Sequence, residues 1–176
     1  MSSTLAMATV NPSRAAGTML PAAVALCGSA AILLGAIGFQ YIGGYPPCSL
    51  CYWQRYGHVA VMVLAWLALL PTGRAVRLAF LALTGVALFV TAGIAVYHAG
   101  VEWKWWAGPA GCSGVSGLSM SVEELKRVLM GTKMVRCDEI PWSLFGLSMA
   151  GWNVVLSAAL GGWVLSQAWR LAPKDA

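Results

Sequence analysis

Four stretches of this chain carry no formal charge: between Arg14 and Arg55, Arg55 and Arg74, Arg77 and Glu102, and Glu139 and Arg170. A hydrocarbon crossing takes about 20 mostly apolar residues, and each gap is long enough to hold one. Of the 176 residues, 59% are apolar and only 10% are charged. Soluble domains carry about a quarter charged residues. There is too little charge here to cover a water-exposed surface, so the chain reads as an integral membrane protein.

Residues 1–19 are Ala/Ser/Thr-rich, contain Pro12 and show no periodicity, which predicts a disordered tail. The first crossing runs from Leu20 to Tyr41. Its apolar run is longer than a signal-peptide core and lacks a small-x-small cleavage site before Gln40. Gly43, Gly44, Pro46 and Pro47 end it in a turn. A second crossing from Leu50 to Leu70 is closed by Pro71, Thr72 and Gly73. A third runs from Leu78 to Tyr97, and a fourth from Trp142 to Trp169. Residues 98–141 form a long loop and 170–176 a short tail. Within the loop, Ser121 and Glu124 have capping-box spacing. Val122, Leu125 and Leu129 then share one face, as in a short amphipathic helix on the membrane surface. The expected fold is all-α, a bundle of four transmembrane helices with a long outer loop carrying that helix.

Four crossings put both termini and the Arg74/Arg77 connection on one side. The net charge of +5 belongs to topology, since Arg14, Arg74, Arg77, Arg170 and Lys174 flank hydrophobic stretches there. Arg55, Lys104, Lys133 and Arg136 stand near the opposite ends, so the charge vote is narrow. No basic run resembles a phosphate-tracking patch, which excludes a nucleic-acid binder. Cysteine placement settles the orientation. Cys48, Cys51, Cys112 and Cys137 all fall on the side opposite the termini, and disulfides persist in oxidising compartments. Cys27, among small apolar residues in the first crossing, reads as a packing residue. Trp103, Trp105 and Trp106 read as interfacial anchors.

Cys48-Ser-Leu-Cys51 is a C-x-x-C pair where a Pro/Gly turn enters a helix. That spacing lets two sulfurs close a small ring or share a metal. The unpaired N–H groups of a helix start favour a thiolate. Cys51, Arg55 and His58 occupy positions i, i+4 and i+7, with Gln54 beside them, and form a polar stripe on an apolar crossing. A guanidinium one turn from a cysteine stabilises its thiolate and can hold a polar partner. The competing reading is snorkelling of Arg55 to lipid phosphate, which leaves Gln54 and His58 unexplained. A bridge between Cys112 and Cys137 would close the outer loop, either as a staple or as a second redox pair. Two dithiols within reach exchange by thiolate attack through a mixed disulfide. His98 ends the third crossing as an interfacial histidine or a site residue. Cys48, Cys51, His58 and His98 also offer a zinc site, but His58 lies too deep for one tetrahedral centre.

The segment Cys48-Ser-Leu-Cys51-Tyr-Trp-Gln54-Arg55 resembles the Cys-x-Leu-Cys-x-x-Gln-Arg signature of the disulfide bond formation protein B family of bacterial inner membranes. Tyr97-His98-Ala99-Gly100-Val101-Glu102 is similar to the end of that family's third helix. Cys137 to Met149 is similar to its second loop entering the last helix. The resemblance covers Leu20 to Trp169 in order, with a longer leading tail. It implies a protein-disulfide:quinone oxidoreductase with both termini cytoplasmic and its redox loops periplasmic. Its partner would be a periplasmic thioredoxin-like thiol oxidase of the DsbA type, and its cofactor a quinone, ubiquinone or menaquinone. Carried over, Cys112 of a Cys112–Cys137 disulfide receives the partner's attack. Electrons pass to Cys48–Cys51 through a Cys48–Cys137 bridge. Cys51 donates onward, supported by Arg55, with His58 and His98 near the quinone. Alternatives are a vitamin K epoxide reductase-type thiol–quinone enzyme, whose C-x-x-C comes late in the chain, an outward carrier of reducing power, and a non-catalytic membrane assembly factor with structural disulfides.

Overall fold

The computed structural model describes residues 12–109, 112 and 135–173. Among them are four helices, α1 (Pro12–Tyr41), α2 (Ser49–Leu69), α3 (Arg74–Glu102) and α4 (Met149–Leu171). Two short strands, β1 (Ser143–Leu144) and β2 (Leu147–Ser148), pair antiparallel. The expected surface helix from Ser121 to Met130 lies outside the described residues.

Three helical stretches are long and apolar enough to cross a membrane: Gly17–Tyr41, Arg74–Glu102 and Met149–Leu171. In α2, Gln54, Arg55 and His58 dilute the apolar run in its first half. The helix ends depart from expectation in three places. First, α1 begins at Pro12, inside the expected tail, and the fixed φ of proline suits a first helical turn. Second, α3 continues past Tyr97 to Glu102, so His98 and Glu102 belong to a helix face rather than to the loop. Third, α4 begins at Met149 instead of Trp142. The approach is taken by the hairpin, whose central residues Phe145 and Gly146 both have positive φ, the twist a tight hairpin turn needs. Side-chain caps fix two helix starts. Cys48 Sγ accepts the Cys51 N–H, and Ser148 Oγ accepts the Gly151 N–H.

The helices pack closely because small residues meet at their crossings. α3 lies between α2 and α4, α1 rests on α2, and α1 touches α4 only lightly. A Cβ on Gly57 would come within 2.3 Å of Thr91 Oγ1, and one on Gly85 within 2.6 Å of the Leu165 side chain. The core holds five alanines (Ala22, Ala25, Ala65, Ala68 and Ala168) alongside Val61, Leu81, Leu88 and Val164. At the end where α2 passes to α3, Arg77 Nε donates to Leu70 O at 3.1 Å and Arg74 donates to Leu171 O at 2.6 Å. Both arginines thereby satisfy carbonyls that helix ends leave unpaired. The light contact between α1 and α4 leaves a cavity of about 780 Å³ lined by α1, α2, α4 and the end of α3.

Candidate active site

The start of α2 places its residues by helical geometry. Cys48 is the N-cap, Ser49 the first residue of the helix, and Gln54 and His58 lie on the inward face. Cys48 Sγ is 3.1 Å from Cys51 Sγ, 3.3 Å from the Cys51 N–H nitrogen and 3.5 Å from His98 Nε2. Both cysteines are free thiols, whereas Cys112 and Cys137 form a disulfide with a Cα–Cα distance of 5.0 Å. The inner pair and the outer bridge share one buried cluster with Leu50 and Val101. Ser49 Oγ spans the two sulfurs of the bridge, at 2.9 Å from Cys112 Sγ and 3.5 Å from Cys137 Sγ.

His98 is oriented by a column of amides. Gln54 Nε2 lies 2.8 Å from His98 Nδ1 and also 3.4 Å from Leu50 O. A carbonyl only accepts, so the amide nitrogen belongs on that side and donates to Nδ1 as well. Asn153 Nδ2 donates to Gln54 Oε1 at 2.6 Å, while Asn153 Oδ1 accepts from Ser157 Oγ at 2.7 Å and faces His58 Nε2 at 2.9 Å. With Nδ1 accepting, the His98 proton sits on Nε2 and points at Cys48.

This proton decides between two chemistries. Cys48, Cys51 and His98 offer three ligand atoms within 4.8 Å, a spacing a metal can use. An Nε2 that carries hydrogen offers no lone pair, so the column prepares His98 to donate to a thiolate rather than to ligate. The Cys51 thiol beside it is the largest influence holding Cys48 well below the usual thiol range. Burial opposes this shift, and His98 and the Cys51 N–H assist it. The Cys51 thiol, His98 and the Cys51 N–H together favour charge on Cys48, the first cysteine of the motif.

Arg55 turns toward α1. It donates to Gln40 Oε1 at 2.6 Å and Ala36 O at 3.1 Å, and its guanidinium stands 5.5 Å from the Tyr52 ring. His58 turns to Asn153, and its buried Nδ1 has no hydrogen-bond partner among the described residues. Cys51, Arg55, His58 and His98 all line the cavity. Glu102, also in the cavity lining, accepts a hydrogen bond from Ser148 Oγ and lies 3.9 Å from His98 Nε2. Both cysteines of the outer bridge are buried. Beside Cys137, Asp138 is gripped by Arg136 at 2.8 Å and Lys104 at 2.5 Å. Arg136 first and Lys104 second hold the half-buried Asp138 carboxyl far below the usual range.

Sequence reasoning did not single out Ser49, Glu102 or Asn153 for a role at the site. For Asn153 a signal existed, an amide within an otherwise apolar crossing, which lipid tolerates only when it faces a partner. Ser49 and Glu102 carried no comparable mark.

The family model described as disulfide bond formation protein DsbB matches residues 18–167. Proteins named disulfide bond formation protein B are similar along most of their length. That of Xanthomonas campestris pv. campestris is 34% identical over 142 residues, covering 77% of this chain and 81% of the relative. That of Methylococcus capsulatus is 30% identical over 150 residues, covering 80% and 88%. That of Marinobacter nauticus is 29% identical over 159 residues, covering 83% and 89%. No solved structure matches the chain. With a paired dithiol and a disulfide in one cluster at a membrane helix, and a match over nearly every described residue, this chain belongs to the disulfide bond formation protein B family, membrane proteins of disulfide bond formation.

Proposed function

We propose that this protein oxidises the dithiol of a periplasmic thioredoxin-like disulfide oxidase of the DsbA type and passes the electrons through its two cysteine pairs to a membrane quinone. The observation that carries the reading is the single buried cluster in which Cys48 and Cys51 meet the Cys112–Cys137 bridge at the edge of an apolar cavity. In this reading α2 is a fourth crossing of the bacterial inner membrane, the termini are cytoplasmic, and residues 98–141 are periplasmic.

The sequence of exchanges balances thiolate for thiolate. The partner's thiolate attacks Cys112 Sγ, and the bridge breaks to leave Cys137 as a thiolate. The partner's second thiol resolves the mixed disulfide and frees Cys112. Cys137 attacks Cys48 of an oxidised inner pair and releases the Cys51 thiolate. Cys112 then attacks Cys137, which restores the outer bridge and releases Cys48. The result is a closed outer bridge and an open inner pair, the arrangement described above.

The cavity suits a lipophilic ring. Its walls are mainly apolar, and Cys51, Arg55 and His58, whose Nδ1 has no partner among the described residues, are among the polar groups that would orient one. A quinone bound there supplies the two-electron acceptor for the inner pair. Arg55 contributes fixed positive charge at the rim, braced by α1, and His98 holds a proton toward Cys48. Glu102 and Ser148 close the side of the site behind His98.

The test is anaerobic quinone reduction by the purified protein in detergent, with a reduced periplasmic thioredoxin-like donor. One quinone reduced per donor disulfide formed, lost in both Cys51→Ser and Cys112→Ser, is the expected result. No reduction of ubiquinone or menaquinone with several donors, by protein that remains folded, would refute the relay.

A further inference from the structure

Ser49 occupies a position that the relay above leaves unassigned. It follows Cys48 directly and is the first residue of α2, so its backbone is held by the helix that carries the inner pair. Its hydroxyl nevertheless lies against the outer bridge, 2.9 Å from Cys112 Sγ and 3.5 Å from Cys137 Sγ. The two cysteines are 1% and 0% exposed, so water is a poor source of hydrogen bonds to either sulfur. A thiolate formed there loses its hydration, and burial alone disfavours the charge. Thiol–disulfide exchange runs faster when the departing sulfur is stabilised as a thiolate. A hydroxyl that reaches both sulfurs by a small rotation meets this need whichever sulfur departs.

We propose that the Ser49 hydroxyl is the hydrogen-bond donor to the leaving sulfur of the outer bridge and keeps the new thiolate beside Cys48. The identity of the attacking protein rests on the relay proposed above, whereas the donor role requires only a thiolate nucleophile. In the step itself an incoming thiolate bonds to Cys112 Sγ and the Cys112–Cys137 bond breaks. The bonding pair goes to Cys137 Sγ. No proton is transferred: the Ser49 hydrogen stays on Oγ while its hydrogen bond moves from Cys112 to Cys137. Because Ser49 and Cys48 are adjacent residues, the Cys137 thiolate is then held next to the sulfur it attacks in the following exchange.

The role is measurable without a quinone or a protein partner. In the full chain in detergent, with Cys27→Ser, Cys48→Ala, Cys51→Ala and Cys112→Ala, Cys137 is left as the single thiol. Its modification by iodoacetamide is followed against pH by intact mass. Loss of one hydrogen bond to a buried thiolate is expected to raise the midpoint by about one pH unit in Ser49→Ala, which slows modification at pH 7 about tenfold. Ser49→Thr, which keeps the hydroxyl, is expected to restore the midpoint. In protein with all its cysteines, opening of the outer bridge by dithiothreitol is expected to slow about tenfold in Ser49→Ala and to recover in Ser49→Thr. Equal midpoints for the serine and alanine proteins, or a threonine protein that behaves as alanine does, would overturn the proposal. Loss of quinone reduction with an intact Ser49-dependent midpoint would instead refute the relay and leave the donor role standing.

Discussion

When Cys48 carries the charge, three donors converge on it: the Cys51 thiol, the Cys51 N–H and His98 Nε2–H. Their effect on reactivity is direct, because only the thiolate is nucleophilic. An ordinary thiol titrates near pH 8.5 and is almost inert toward iodoacetamide at about pH 6. In the reduced inner pair Cys48 is expected to stay reactive at that pH, the direction set by its depressed pKa. His98→Ala should slow its modification there several-fold. Peptide mapping after a brief pulse checks both points, and a Cys48 midpoint at or above pH 8 would contradict the convergence. Further along the column, Asn153→Leu strands Gln54 Oε1 and His58 Nε2. Each buried group left unpaired costs about 1–3 kcal/mol, so thermal unfolding in detergent should show a loss of about 2–6 kcal/mol. Spacing along one helix made Cys48, Cys51, Arg55 and His58 legible together. Asn153 lies 99 positions from Gln54, and nothing local in the sequence says that the two amides meet.

At the scale of elements, helix identity followed from charge-free length and helix ends did not. α3 runs on to Glu102 and α4 waits until Met149, because capping and turn geometry decide boundaries that hydropathy cannot see. His98 faces inward for this reason, although its place beyond Tyr97 suggested the start of a loop. The α2–α3 crossing is set by absence of a side chain. Gly57→Ala puts a Cβ 2.3 Å from Thr91 Oγ1, and overpacking of this kind costs about 1–3 kcal/mol. Thr91→Ala removes the obstructing oxygen, so the double substitution is expected to recover much of the loss in a double-mutant cycle. Additive losses would show that the two helices do not touch at this point. The Asp138 grip tethers the Cys137 segment to the end of α3. Its depressed pKa means that the tether is kept above the ordinary carboxylate range and lost only as pH falls through the lower, folded value. Limited proteolysis near Cys137 should stay slow at pH 5 and quicken in Lys104→Ala.

For the whole molecule, the unequal packing of α1 creates the cavity, and this gives a separation of function from stability. Gly35 lines the cavity, and a Cβ there would meet nothing within 4 Å. Gly35→Phe should therefore leave the melting temperature within about a degree of the parent protein or raise it, since alanine and larger residues favour helix over glycine by about 1 kcal/mol at most. Quinone reduction should fall at least tenfold in the same protein. A substitution that destabilised the bundle while sparing turnover would place the acceptor elsewhere.

The two ends of the bundle are built differently. Every cysteine of the two pairs lies at one end, together with the amide column. At the other, Arg74 and Arg77 are spent on helix carbonyls above a core of alanine, valine and leucine. Among the described residues, the column reaches inward as far as Ser157. A living membrane imposes a voltage worth about 2.3 kcal/mol per elementary charge at 100 mV on anything that traverses it. In the proposed relay electrons would enter and leave at the same end, with their protons drawn from the thiols themselves, and would traverse almost none of that field. Turnover in sealed vesicles should then be indifferent to an imposed diffusion potential, and a relay of this kind would oxidise exported thiols without drawing on the cell's ion gradients.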